Sequence, residues 1–176
     1  MRRVFAVCCL ILIAGDSPRG TEVTLDGLSA AAPSSWKAEP AATRGRLYQF
    51  QIGRVSGDKE DAELVIVKLP PSPAVEQIAK LKDLFLLPTS LPKDQAVREW
   101  TIKNSKAVLT CLDIQGTYHP KKNSVDAAVR EVRPDYRLLA AVWISPEGSY
   151  LIRLLGPKRT VSTQAAAFEA WLRNFK

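Results

Sequence analysis

A chain of 176 residues, 46% hydrophobic and 24% charged, has the length and make-up of one folded domain with its own core. Its net charge of +7 comes from 25 Lys and Arg against 18 Asp and Glu, spread along the chain rather than interleaved with aromatic residues. That pattern excludes a nucleic-acid recognition module and leaves only a general attraction to anionic surfaces.

The chain opens with Arg2 and Arg3, then the apolar run "VFAVCCLILIA" from Val4 to Ala14, then Gly15 and Asp16. A short positive region, a short apolar core and a small residue at its end form the pattern of a secretory signal. As a helix the run rises about 16 Å, too short for a hydrocarbon core of roughly 30 Å. Residues 1–15 are therefore expected to be a signal peptide, cut near Ala14 or Gly15, with a buried N-terminal helix as the competing reading. A lipid anchor is the lesser alternative, because Asp16 stands where a lipoprotein cysteine would follow "LIAG". Cleavage also removes Cys8 and Cys9, so Cys111 is left without an internal disulfide partner. Export without disulfides points to a periplasmic or extracellular protein of the bacterial envelope, with no transmembrane span in its mature form.

Residues 16–24 read as a short leader, and 25–176 as a single domain. Leu25, Leu28 and Trp36 suggest a first strand and an anchoring aromatic. In "LYQFQI" Tyr48, Phe50 and Ile52 alternate with Leu47, Gln49 and Gln51, a half-buried strand. "GRVSGDKED", 53–61, is a charged turn. "ELVIVKL", 63–69, is a central strand by its β-branched content. The period then changes. Ser72 is a candidate N-cap and Pro73 a candidate first residue of a helix whose apolar face carries Ile78, Leu81 and Phe85. Pro88 and Pro92 bound it.

"AVREWTI", 96–102, and "AVLTCLDIQGTY" form a hairpin turning at Asn104-Ser105. The segment 119–135 is polar and irregular, with a short strand suggested at 127–132. "YRLLAAVWI", 136–144, turns through "SPEG" into "SYLIRLL". The last helix carries Val161, Ala165, Phe168, Leu172 and Phe175 on one stripe, with Thr160 or Ser162 as cap. These elements predict an α+β domain: a mostly antiparallel sheet of six or seven strands packed with two main helices, as an α/β/α sandwich.

The order of elements resembles the PsbP-like fold, and in particular uncharacterised secreted bacterial proteins of that fold. The likeness rests on "GLSAAAPSSWKAEP", "DAELVIVKL", "VEQIAKLKDLF", "LDIQGTY" and the closing "YRLLAAVWISPEGSYLIRLLGPKRTV" with its helix. It covers roughly 25–176 and implies a central antiparallel sheet sandwiched by helices. Leu81 stands where relatives tend to have tryptophan. The segment from Tyr118 to Pro134 lacks their glycine-rich run. No residue maps onto the binding sites behind the photosystem or nuclear-import roles of distant members, so neither role carries over.

Motifs for chemistry are sparse. The single histidine, His119, sits beside Lys121 and Lys122, a poor setting for a base or a metal ligand. No metalloprotease, nucleophile-elbow or dinucleotide-binding motif occurs, so no catalytic, cofactor or metal residue is assigned. Cys111 lies in an apolar strand as a small buried hydrophobe. Asp113 and Arg153 interrupt apolar strands. Each is expected on a solvent-facing stripe, with pairing across the sheet as the alternative. Lys121, Lys122, Arg130, Arg133 and Arg137, with His119, are a candidate anion-binding patch, the alternative being a solvated loop. Lys158 and Arg159 beside Gly156-Pro157 are read as a corner between strand and helix, not a site.

The function this supports is an exported, non-catalytic binding or assembly-assisting domain of the envelope. Its partner would be an envelope protein or an anionic surface. The alternative is a small-ligand carrier or enzyme with a pocket between sheet and helix.

Overall fold

The computed structural model describes residues 20–104, 107–120, 131–146 and 148–176. The expected signal peptide and residues 127–130 of the strand suggested at 127–132 fall outside these residues. The chain is α+β, with a large mostly antiparallel sheet, a separate hairpin and helices on both faces of the large sheet.

The hairpin comes first: β1 (Glu22–Leu25) pairs with β2 (Leu28–Ala31). It begins inside the stretch expected to be a leader, and Val23 is fully buried. Asp26 and Gly27 both take positive φ, 50° and 73°, the conformation a two-residue hairpin turn requires and Asp-Gly tolerates best. The Asp26 carboxylate then accepts a hydrogen bond from Tyr150 Oη at 2.6 Å and another from Ser145 Oγ, so the turn is tied to the large sheet.

Among the described residues the large sheet has eight strands, one or two more than expected. They are β3 (Lys37–Glu39), β4 (Arg46–Ile52), β5 (Ala62–Leu69), β6 (Phe85–Leu86), β7 (Val97–Lys103), β8 (Val108–Tyr118), β9 (Arg133–Ser145) and β10 (Gly148–Pro157). Their order is β3-β4-β5-β10-β9-β8-β6, with β7 also pairing β8. The additional strands are β3 and β6, three and two residues long. Neither is long enough to show an alternating pattern in the sequence.

Among the described residues three helices complete the fold: α1 (Ala74–Lys82), α2 (Lys93–Ala96) and α3 (Lys158–Arg173). α1 starts one residue later than expected. Pro73 occupies the N-cap, and Ser72 Oγ instead bonds Pro70 O and Gln77 Nε2. The helix also ends early. Phe85, expected on its apolar stripe, lies in β6. α3 begins at Lys158, ahead of both candidate caps, with Pro157 before it.

Alternation along the strands divides the core in two. One face packs Leu64, Ile66, Leu109, Leu139, Trp143, Ile152 and Leu154 against α3 and the hairpin. Trp36, Trp143, Trp171 and Phe175 meet edge to face there, with Phe168 tilted against Trp171 and Trp36–Trp171 centroids at 5.3 Å. The other face packs Val67, Leu112, Ile114, Leu138, Ala140 and Val142 with α1 residues Ile78 and Leu81. Burying each such side chain contributes about 1.5–3 kcal/mol.

Candidate functional site

The site is built where the sheet edge changes strand. After Lys82 the chain leaves the helix. Asp83 donates its N–H to Ala79 O at 3.0 Å, and Leu84 donates to Leu81 O at 3.1 Å. Phe85 and Leu86 then pair with Tyr118 and Thr117 of β8. The two prolines of "LPTSLP" carry the chain away from the sheet before α2 returns it as β7. β7 pairs with the same strand, but only from Val108 to Ile114. The edge of β8 is therefore shared, and the gap falls at Gln115, whose Nε2 donates to Gln95 O at 2.9 Å.

This gap opens a cleft of about 780 Å³ between the end of α1 and the sheet. Phe85, Leu87, Val97 and Ile114 form its apolar lining and belong to, or pack against, the α1-side core. Lys82, Asp83, Lys93, Asp94 and Glu99 line it as charged groups. Lys82 Nζ is tied to Glu99 Oε1 at 2.8 Å. A concavity with four apolar and five charged lining residues, within the usual ligand-pocket range of about 300–1,000 Å³, has room for a small molecule. No local sequence motif marks it, since its lining comes from 82–87, 93–99 and the distant Ile114.

The predicted anion patch does not assemble among the described residues. Lys121, Lys122 and Arg130 lie outside them. Arg133 and Arg137 are four apart, which in a regular strand puts both on one face. The backbone breaks that rule. Arg133 sits opposite Tyr118, but Tyr136 sits opposite Gly116, so β9 carries one extra residue there, and Asp135 takes φ 53°. The bulge reverses the alternation. Arg133 stays on the face of Tyr118 and Tyr136, where Glu60 accepts from Arg133 Nη1 at 2.6 Å and from Tyr136 Oη at 2.8 Å. Arg137 faces α3, with Nε and Nη2 on the two Asp113 oxygens at 2.8 and 2.7 Å and Nη1 on Ser162 Oγ at 2.8 Å.

That geometry also revises Asp113 and Arg153. Asp113 is not on a solvent stripe, since its side chain is only 13% exposed and is held by Arg137. Arg153 is 3% exposed and pairs in register with Ala140 and Val65, so it lies on the opposite face from Asp113. The two cannot meet across the sheet. His119 is exposed, and its backbone N–H donates to Leu84 O at 2.7 Å, which anchors the chain beside β6.

The corner at Gly156-Pro157 is filled by the chain itself. Asp58, from the "GDKED" turn, accepts from Thr160 N–H at 2.9 Å and from Thr160 Oγ1 at 2.6 Å. Thr160 Oγ1 in turn accepts from Val55 N–H at 3.1 Å. A carboxylate on the first turn of α3 satisfies its free N–H groups and its dipole. The charged turn thus supplies the helix cap, and Thr160 is its recipient. A second cleft of about 360 Å³ lies here, lined by Asp58, Glu60, Arg133, Asp135 and Tyr136 among others. Glu60, Arg133 and Tyr136 bond one another within it, as do Asp58 and Thr160 at its edge.

Among the described residues two side chains have clearly displaced pKa values, and both move away from reactivity. Burial, with the nearby Glu169 carboxylate, pushes Cys111 up from 9.0 to about 12. Burial, then the hydrogen bond to Glu60, pushes Tyr136 above the usual phenol range. Thiolate is the nucleophilic form of cysteine, so Cys111 is inert in the fold. Native protein at pH 8 is expected to leave Cys111 unmodified by an aromatic disulfide reagent, while urea-unfolded protein reacts at once. Because the folded pKa is raised, the thiol's contribution to stability is whole below pH 9 and is lost as pH rises from 9 to about 12. Fast labelling under native conditions would show that the strand opens readily.

No protein-family model matches this chain, and no curated protein does either. Among the described residues, no helix is long and apolar enough to cross a membrane. No group of three or more His, Cys, Asp or Glu side chains among them is placed to hold a metal ion.

Proposed function

We propose that this chain is an exported binding domain of the PsbP-like kind that carries a small, largely apolar molecule in the cleft beside α1. One observation carries the reading: the break between β6 and β7 leaves Phe85, Leu87, Val97 and Ile114 lining a concavity of about 780 Å³ at the helix–sheet boundary. On the α3 side the helix–sheet interface is filled by buried aromatic rings, and the cleft of about 800 Å³ on that side lies outside it, between the hairpin and the end of α3, without a large apolar side chain in its lining. The upward displacement of Cys111 and Tyr136 supports binding over nucleophilic chemistry. The signal-like N-terminus supports work in the envelope, where sparingly soluble molecules need a protein to cross water.

Binding of 1-decanol, followed by calorimetry, tests the reading. Val97→Glu puts a charge into the lining at a half-buried edge position and is expected to weaken binding at least about 10-fold, since an unpaired charge beside apolar surface is costly. Leu87→Trp, which fills the cleft, is expected to weaken it similarly. Both variants should keep the wild-type circular dichroism. Unchanged affinity in both would place the ligand elsewhere.

A further inference from the structure

Among the described residues β7 pairs with β8 alone, and nothing bonds its other backbone edge. Asn104 N–H donates to Ala107 O at 3.1 Å, and these two residues stand opposite each other in the β7–β8 register. They are therefore a hydrogen-bonded pair, and such pairs alternate along an antiparallel ladder. Arg98, Trp100 and Ile102 thus spend their N–H and C=O groups on β8, while those of Glu99, Thr101 and Lys103 point outwards. The strand at the opposite end of the sheet, β3, has three residues, whereas β7 has seven, enough to template another strand. Charges on an edge ordinarily discourage such pairing. On β7 they have both signs and flank Thr101 symmetrically, with Glu99 two residues before it and Lys103 two residues after.

We infer that β7 pairs with the β7 of a second copy of this chain, antiparallel about a two-fold axis at Thr101. The outward groups admit registers that join odd-numbered residues to odd-numbered residues. Among these, the axis at Thr101 sets Glu99 of each copy opposite Lys103 of the other, and Trp100 opposite Ile102. Arg98 lies over the Trp100 ring at 4.1 Å and pairs with Glu169 at 3.6 Å, and it meets the uncharged Asn104. An axis at Trp100 would set Lys103 against Val97 and Glu99 against Thr101. An axis at Ile102 would set Lys103 against Thr101. Neither matches a charge with its opposite. The Thr101 register forms about six backbone bonds and covers the half-buried Trp100. A contact this small makes a weak, concentration-dependent dimer.

Sedimentation velocity of the whole chain, from about 10 µM to about 1 mM, tests this, and a dimer is expected to grow in across that range. Glu99→Lys and Lys103→Glu each set like charges opposite one another on both sides of the axis. Each variant alone should self-associate about 5- to 30-fold more weakly than the wild type. An equimolar mixture of the two should regain the wild-type association, because every facing pair then has opposite signs. Misfolding cannot imitate that recovery, and both variants should keep the wild-type circular dichroism. A monomer at every concentration would overturn the inference. So would a dimer that neither variant weakens, or a mixture that associates no better than its components, since either would put the contact on another surface or in another register.

Discussion

Gly156→Ala is expected to destabilise the fold by about 3 kcal/mol, seen as a large drop in the urea midpoint. A methyl group built at Gly156 falls 2.5 Å from Ala62 Cβ and 2.7 Å from Ala62 Cα. Neither atom can rotate away, since one is fixed to the backbone and the other belongs to it. Over-packing costs about 1–3 kcal/mol when side chains can adjust, and here β5 itself must shift. Ala62→Gly removes one of the two clashing atoms. In the double variant Ala62→Gly with Gly156→Ala, a coupling of at least about 1 kcal/mol should therefore appear. An unchanged midpoint for Gly156→Ala would mean that β5 and β10 are further apart than their pairing indicates. The glycine that reads as a strand terminator is thus a spacer between two central strands, and the strand continues through Pro157.

Asp113→Ala is the second large effect. It leaves the Arg137 guanidinium between the sheet and α3 without its two carboxylate bonds. Removing one partner of a largely buried pair is strongly destabilising, and with side-chain exposures of 13% and 19% the expected loss is about 2–3 kcal/mol. The paired replacement Asp113→Leu with Arg137→Met should recover most of it, because an apolar pair avoids the desolvation cost of both ions. Full stability of Asp113→Ala alone would show Arg137 free to reach water. Loss of binding in the cleft is not expected from either variant, since Asp113 faces α3 and the cleft lies on the α1 side.

Much of the architecture is legible in the sequence because long strands carry apolar runs of their own. β4 declares its face by alternation through Phe50 and Ile52, whereas β9 and β10 are continuous apolar runs buried on both faces, the mark of central strands. α3 is legible by its apolar stripe, at helical spacing. What escapes is short or non-local. The two residues of β6 have no period of their own, so Phe85 reads as part of the helix before it. "LDGL" does carry a signal, since Asp-Gly between apolar residues marks a tight hairpin, and that signal puts the domain start at or ahead of Glu22.

The site is harder to read for a different reason. Arg133 and Arg137 look like neighbours until one extra residue at the Pro134–Asp135 bulge sends them to opposite faces. Asp58 looks like a turn residue because its partner, Thr160, is 102 positions away. The cleft draws on α1, β6, α2, β7 and β8, and no local pattern encodes a gap between two strands on one edge. Charge runs show where the cations are. Only the fold shows which carboxylates already hold them.

Backbone amide shifts on titration with 1-decanol test the central claim most directly. The account predicts that the shifted amides cluster at Phe85, Leu87, Val97, Glu99 and Ile114, and that they saturate together with one affinity. Shifts confined to Asp58, Glu60 and the Arg133–Tyr136 bulge, or no saturable shift at all, would contradict it.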